Sequence, residues 1–450
     1  MNKPNKVRPE PAGKSTLRLH TRDVLKGSAA AAVAKVATTV IGLGFNLVLA
    51  RQLGAEQTGV IFIAIALATV ASILSRVGLD IAVVKFSSRH AAAEEWPAVK
   101  AVYVRTLYLT FIASMVFVCA LFLSADWLAN IAFSKPDLAV PLKYISLSVL
   151  PLSLLNVHAQ FLKSIRLVGV GFFLQNSAVS GICLLALLAA PAVVTVTLVA
   201  EIYLFAACAG AVFIAALWLR VSGLLKVSAD KDYQHREMAT SRAALFVVAI
   251  MNQIILPWGA LLLLGLWGTE AEVGQFGIVR RLAMLINFSY LAVESITGPK
   301  FSALFAAGDL VAVEHVARRA ALVMILVAVP PAALFVLAPE WVLSWFAPEF
   351  RSGAPLLVIL AVGQMINVLT GSVINLLVMG GYEQAYRNMT ILAALANVLL
   401  CIALIPTFGA LGAAWATAVA VAVLNLGGFF IVRWKLGFFP FPGFPAVSKP

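Results

Sequence analysis

Polar and ionisable residues recur at helical intervals inside stretches that are otherwise apolar. Lys35, Thr38, Thr39, Gly42 and Asn46 stand at i, i+3, i+4, i+7 and i+11, which is one stripe of a helix. Gln364, Asn367, Gly371 and Asn375 repeat the pattern. Arg280, Asn287 and Glu294 run down one side of another stretch with Arg281 beside them, and Asn252–Gln253 and Gln175–Asn176 add amide pairs. Arginine presents a planar fork that matches carboxylate or phosphate oxygens, while amides and hydroxyls bond other hydroxyls without demanding one partner. A cation left uncompensated at mid-bilayer costs about 2.5–3.5 kcal/mol, so such residues face a bundle interior or a watery cavity. No acidic residue lies within four positions of Arg280 or Arg281. At least one of the two is therefore expected to line a cavity that receives an anion. Glu294 and Glu201 are the candidates for coupling to protons or sodium.

Each assignment has a plainer counterpart. Amides and hydroxyls inside spans also serve simply to bond neighbouring helices. Lys35 lies about two turns from the end of its stretch, within reach of lipid headgroups by snorkelling. Arg76 and Asp80, four apart, read as a local ion pair.

The elements that position these residues are twelve apolar stretches, each near the ~20 residues a bilayer crossing needs. They fall at 28–50, 58–78, 102–124, 139–162, 168–190, 193–219, 243–267, 274–297, 317–338, 354–379, 389–406 and 409–432. Charged residues are only 12% of the chain and cluster between the stretches. The predicted fold is an all-α polytopic membrane bundle of twelve helices, since a helix satisfies its own backbone in hydrocarbon.

The net charge of +13 is topogenic rather than a nucleic-acid footprint. With a cytoplasmic N-terminus, 25 of the 33 basic residues fall on the cytoplasmic side and only Arg51, Lys135, Lys143 and Arg351 on the other. That asymmetry is the positive-inside rule, and it places both termini in the cytoplasm. Residues 1–27 read as a flexible basic arm, 220–242 as the linker between two sets of six spans (28–219 and 243–432), and 433–450 as a tail. The first apolar stretch is too long, and followed by too many others, to be a cleaved signal.

Cofactor chemistry finds no support. Gly13-Lys14-Ser15-Thr16 imitates the end of a phosphate loop, but Arg8 occupies the position of the earlier glycine. Gly169-Val170-Gly171 has Leu174 where a dinucleotide fingerprint needs its third glycine. The cysteines Cys119, Cys183, Cys208 and Cys401 all lie in apolar stretches without metal or redox spacing, and the histidines are scattered. Any work done here must draw on a gradient, a membrane potential or a substrate's own concentration difference.

A weak internal repeat supports two halves. Gly54/Glu56 before Gly59 is echoed by Gly268/Glu270 before Gly274, and Lys85-Phe86-Ser87 returns as Lys300-Phe301-Ser302 at an offset of 215 residues. Parallel halves of this kind are related by an axis along the membrane normal.

With these elements placed, the chain resembles polysaccharide flippases of the multidrug/oligosaccharidyl-lipid/polysaccharide exporter superfamily. The resemblance rests on Ala50-Arg51-Gln52-Leu53-Gly54, Gly59 and Gly78-Leu79, then Val273-Gly274-Gln275-Phe276, Arg281-Leu282-Ala283, Pro299 and Ser302-Ala303-Leu304. It continues through Asn397, Leu404-Ile405-Pro406, Gly409-Ala410-Leu411-Gly412-Ala413-Ala414, Ala416-Thr417 and Asn425, and spans about 28–435. It implies two six-helix lobes around a cavity that opens alternately to each side of a bacterial cytoplasmic membrane. The implied cargo is a polyprenyl-pyrophosphate-linked oligosaccharide bound for surface polysaccharide, with a polymerase and chain-length machinery as partners beside the membrane lipids. Lys35 is then expected to recruit the pyrophosphate at the cytoplasmic mouth, and Arg280 or Arg281 to hold it farther out.

The alternatives are a multidrug cation antiporter of the same superfamily, a peptidoglycan-precursor flippase and a membrane polymerase or ligase. The first wants carboxylates deep in the first and seventh stretches, where there are none. Relatives of the second usually carry two further spans. The third wants a large outer loop, whereas the largest, at about 125–138, offers only Asp126, Lys135 and Asp137.

Overall fold

A computed structural model describes residues 14–76, 78–190, 193–230 and 250–441, and every regular element among them is helical. The first half comprises α1 (Lys14–Ser75), α2 (Leu79–Ala92), α3 (Trp96–Trp127), α4 (Ala139–Leu147), α5 (Val149–Ser164), α6 (Val168–Leu188) and α7 (Val196–Ser222). A π-helical segment, Met251–Gly259, then leads into α8 (Ala260–Trp267) and α9 (Glu270–Ala283). A 3₁₀ turn at Met284–Asn287 joins α9 to α10 (Phe288–Ala306), followed by α11 (Leu310–Leu337) and α12 (Pro339–Ser344). The chain closes with α13 (Ala354–Thr370), α14 (Val373–Met379), α15 (Glu383–Phe408) and α16 (Ala410–Leu436).

Eight described helices are long and apolar enough to cross a membrane, or nine if the pair Pro136–Leu147 and Val149–Ser164, bent by 41°, counts as one span. The difference from twelve uninterrupted spans arises where the backbone breaks and where a stretch extends beyond the described residues. The first two predicted stretches form one helical run that turns at Gly54, whose φ of 71° suits glycine because a side chain strains there. Its 43-residue apolar part, Val33–Ser75, is about twice the length of one crossing. The seventh stretch lies partly outside the described residues, leaving Met251–Trp267 as a shorter apolar helix; the 3₁₀ turn interrupts the eighth, and Gly371 separates α13 from α14 in the tenth. Many large apolar side chains, such as Leu123, Phe205 and Leu326, point outward, as a surface facing hydrocarbon requires.

The predicted arm at 1–27 is corrected in part: helix begins at Lys14, and only residues 1–13 lie outside the described ones. Most of the predicted linker, 231–242, also lies outside them. The tail starts packed rather than free, with Phe438 buried, Phe439 stacked on Phe429 and the Phe439 carbonyl accepting from Arg318 Nε at 3.3 Å.

Three apolar clusters hold the bundle. One lies within 79–224, around Phe161 and Trp218, and another within 301–438, around Phe301 and Leu376. The largest joins Leu49, Phe62 and Ile63 of α1 to Phe276 and Ile278 of α9 and Leu357 of α13. At its centre α1 and α9 meet backbone to backbone. A Cβ on Gly59 would lie 1.9 Å from the Glu270 carbonyl, and one on Gly274 would lie 2.1 Å from that of Ala55. These partners are reciprocal at the same 215-residue offset as the sequence repeat, the arrangement of a local two-fold axis.

Polar ties close the same end of the bundle, here called the Gly54 end. Arg51 Nε donates to the Trp345 carbonyl at 2.6 Å, and the Ala55 amide donates to Glu349 Oε2 at 3.1 Å. Gln275 donates to the Glu349 carbonyl and to Ser352 Oγ, and Glu272 accepts from the Ala410 amide. Lys135, buried in the loop after α3, donates to the Gly268 carbonyl at 2.8 Å. Burial holds its ammonium below the ordinary lysine range, a shift that Glu270 and Glu272 oppose. Lys135→Met should lower stability by about 1–3 kcal/mol, because it removes a charged donor from a half-buried carbonyl. Detergent-solubilised thermal unfolding tests this: an unchanged midpoint would show that the tie contributes nothing.

Candidate functional site

Between α1, α5, α6 and α7 on one side and the π segment with α9 on the other lies a cavity of about 510 Å³. Its polar lining comprises Asn46, Thr69, Ser72, Arg76, Asn156, Gln175, Asn176, Ser180, Tyr203, Asn252, Gln253 and Arg281, with no carboxylate among the described lining residues. Phe45 and Trp258 add aromatic faces. The composition is therefore amides, hydroxyls, aromatic rings and cations, with the ion-paired Arg76 at one margin.

Arg281 projects from the last turn of α9. Its guanidinium lies 4.0 Å from the Phe62 ring centroid and donates to the Gly277 carbonyl at 3.0 Å. Gly277 permits this, since a Cβ there would lie 2.3 Å from Phe62. Among the described residues no carboxylate answers Arg281 in the cavity lining. Arg76 differs: Asp80 accepts from its Nε at 2.9 Å and Ser72 from its Nη1, as the ion-pair reading expects.

The π segment widens the helix just where it meets the cavity. Such segments are rare and frequent at functional sites. Asn252, Gln253, Pro257 and Trp258 all reach the lining from it. Arg280 does not line this cavity. It reaches back to donate to the Pro257 carbonyl, and its guanidinium lies 5.7 Å from the Trp258 ring centroid. Tyr386 contacts Asn252 Oδ1 at 3.5 Å. Asn46 is buried, and its Oδ1 has no hydrogen-bond partner among the described residues, so an acceptor stands unused at the wall.

The predicted residues are thus sorted into separate places. Asn46, Asn252, Gln253 and Arg281 meet in the cavity, with Gln175 and Asn176 opposite. Asn287, Gln364 and Asn367 bond one another instead: Asn287 Nδ2 donates to Gln364 Oε1, and Asn367 Nδ2 donates to Asn287 Oδ1 at 3.0 Å. Thr38 pairs with Ser177 Oγ at 2.7 Å, tying α1 to α6, and Thr39 donates to the Lys35 carbonyl. Lys35, Glu294 and Asn375 line a second cavity of about 470 Å³ with Gly298, Pro299, Ser302 and Met379. Lys35 is therefore not in the cavity of Arg281; Glu294 sits beside it, and its Nζ lies 5.8 Å from the Phe172 ring centroid. Glu201 is exposed on α7 and lines neither cavity.

Sequence reasoning missed Trp258, Tyr203, Thr69, Ser180 and Asn156. Asn156 left a usable signal as one of two amides in the fourth stretch, with Gln160, and it accepts from Gln175 Nε2 at 2.8 Å. Trp258 and Tyr203 left none, because apolarity scales count aromatic rings among the lipid-facing residues.

Residues 24–305 match the family model described as "Polysaccharide biosynthesis protein". The chain belongs to this family. A curated relative, "Probable low-salt glycan biosynthesis flippase Agl15" of Haloferax volcanii, is 25% identical over 390 residues, covering 83% of this chain and 76% of the relative. Among solved structures, an inward-facing multidrug resistance MATE family transporter of the MOP superfamily superposes with a TM-score of 0.72 at 16% identity, covering 90% of this chain and 98% of that one. The lipid II flippase MurJ, in an inward closed conformation, gives 0.69 at 13% identity over 89% and 87% of the two chains. The fold is that of a multi-pass membrane transporter.

Proposed function

We propose that the protein is a flippase that carries a polyprenyl-pyrophosphate-linked oligosaccharide from the inner to the outer leaflet of a bacterial cytoplasmic membrane. The cavity lining carries this reading: Arg281 stands amid amides and hydroxyls, with no carboxylate among the described lining residues. An anion would be held by the guanidinium fork, and sugar hydroxyls by the amides. The lipid tail stays in the bilayer while the headgroup passes. A cationic drug would find repulsion there, which weighs against the multidrug antiporter. No bond is made or broken, so the protein is not an enzyme.

In this reading the twelve predicted crossings form two lobes, 28–219 and 243–432, with 220–242 between them and both termini in the cytoplasm. The Gly54 end is the outer face, and its ties mark the state that loads from inside. With an inside-negative potential, outward movement of an anion gains about 2.3 kcal/mol per charge per 100 mV, so no nucleotide is required. Glu294, facing Lys35 in the second cavity, is the group through which an ion would couple to the cycle. The flipped product passes to a polymerase with its chain-length partner.

Depletion in the host tests the reading. The expected result is accumulation of a completed polyprenyl-pyrophosphate glycan, measured by mass spectrometry, together with loss of surface polymer. An unchanged lipid-linked pool with altered susceptibility to cationic drugs would reject it.

A further inference from the structure

Arg280 and Trp258 are the features of the site that anion binding alone leaves unexplained. Arg280 lies next to the cavity cation yet donates from Nη1 to the Pro257 carbonyl, inside the π segment. Proline lacks an N–H, so one carbonyl earlier in the segment loses its helical partner and the wide turn is held less firmly. The charged donor from the neighbouring helix ties this turn at the Pro257 carbonyl itself. Its guanidinium also approaches the face of Trp258, the next residue, at 5.7 Å. Trp258 and Arg281 line the same cavity, and the buried Asn46 adds an acceptor with no partner among the described residues.

We infer that Trp258 and Arg281 form a subsite for a phosphorylated sugar, with the phosphate on Arg281 and the pyranose ring against Trp258, and that Arg280 is the positioning residue that aims the indole. The inference rests on the function proposed above and names which part of the cargo the protein reads: the sugar joined to the pyrophosphate. The apolar C–H face of a pyranose covers an aromatic ring as another ring does, leaving its hydroxyls at the edge for Asn46, Asn252 and Gln253. Sugars farther along the glycan meet less specific surroundings. The shared chemistry, a sugar on a phosphate, can come from a lipid carrier or from a soluble sugar phosphate.

Binding to the full chain in lipid nanodiscs separates these elements. Three probes are used: a short-chain prenyl-pyrophosphoryl hexose, the same prenyl pyrophosphate without sugar, and hexose-1-phosphate. For the sugar-bearing lipid, W258A should weaken binding by about tenfold, and W258F should stay within about threefold of the wild type. Neither should shift the sugar-free probe by more than about twofold. R280Q should reproduce W258A, R280K should restore most of the loss, and R280Q combined with W258A should be no weaker than W258A alone. R280K also keeps the test informative if R280Q fails to fold.

Several results overturn the inference. Equal weakening of both lipid probes by R280Q would make Arg280 an anion ligand in its own right, and additive losses in the double variant would break its link to Trp258. Unchanged binding by W258A would remove the stacking site while leaving the flippase reading intact. Hexose-1-phosphate bound as tightly as the lipid probe would make the ligand soluble. A wild type that binds none of the probes would sink the proposed function itself.

Discussion

Arg281→Ala is expected to abolish surface-glycan production at native expression. The guanidinium stands in a cavity with no carboxylate among its described lining residues, and truncating one partner of a buried, hydrogen-bonded charge pair costs about 2–5 kcal/mol. That corresponds to a loss of roughly thirtyfold to several thousandfold. Arg281→Lys should keep part of the activity, because it retains a point charge without the planar fork. Arg281 also packs on Phe62 and bonds the Gly277 carbonyl, so protein abundance is measured alongside the glycan. Full activity of the alanine variant at wild-type abundance would contradict the anion site.

The second large effect concerns the Gly54 end. Gly59→Val places a branched side chain where even a single Cβ would sit 1.9 Å from the Glu270 carbonyl. The two backbones must separate, at a cost of about 1–3 kcal/mol or more. That cost falls on the closed state alone, so the equilibrium should move toward opening at this end by roughly five- to 150-fold. A Thr69→Cys probe in the central cavity, in a background lacking the four native cysteines, reads the change. An impermeant thiol reagent added outside should label it much faster in the Gly59→Val background. Unchanged labelling together with an unchanged unfolding midpoint would mean that the close crossing neither seals nor stabilises.

Much of the fold was legible in the apolar stretches, because hydrocarbon leaves the backbone no choice but helix. The repeat was legible too, and its Gly59–Gly274 offset reappears as a reciprocal contact between α1 and α9. Within the site, the cluster of Asn46, Asn252, Gln253 and Arg281 followed from the cost of placing polar groups in lipid. What periodicity could not give was which face each residue takes once a helix stops being regular. The stripe Arg280–Asn287–Glu294 assumes about 100° per residue, but a 3₁₀ turn at 284–287 turns faster. Asn287 consequently meets Gln364, and Glu294 enters the second cavity. Gly371 likewise separates Asn375 from the amides that precede it in its stripe. The two arginines look equivalent by spacing, and only the widened turn around Pro257 separates the cavity cation from the one that braces the backbone.

Reconstitution tests the central claim most directly. Proteoliposomes would carry a fluorescent short-chain prenyl-pyrophosphoryl oligosaccharide, and an impermeant glycan-cleaving enzyme added outside would report how much of it is accessible. The account predicts that the wild type brings the inner-leaflet half of the probe into reach, while protein-free vesicles and the Arg281→Ala protein leave it protected. Accessibility that stays at the outer-leaflet half with the wild type, or that rises equally with Arg281→Ala, would contradict it.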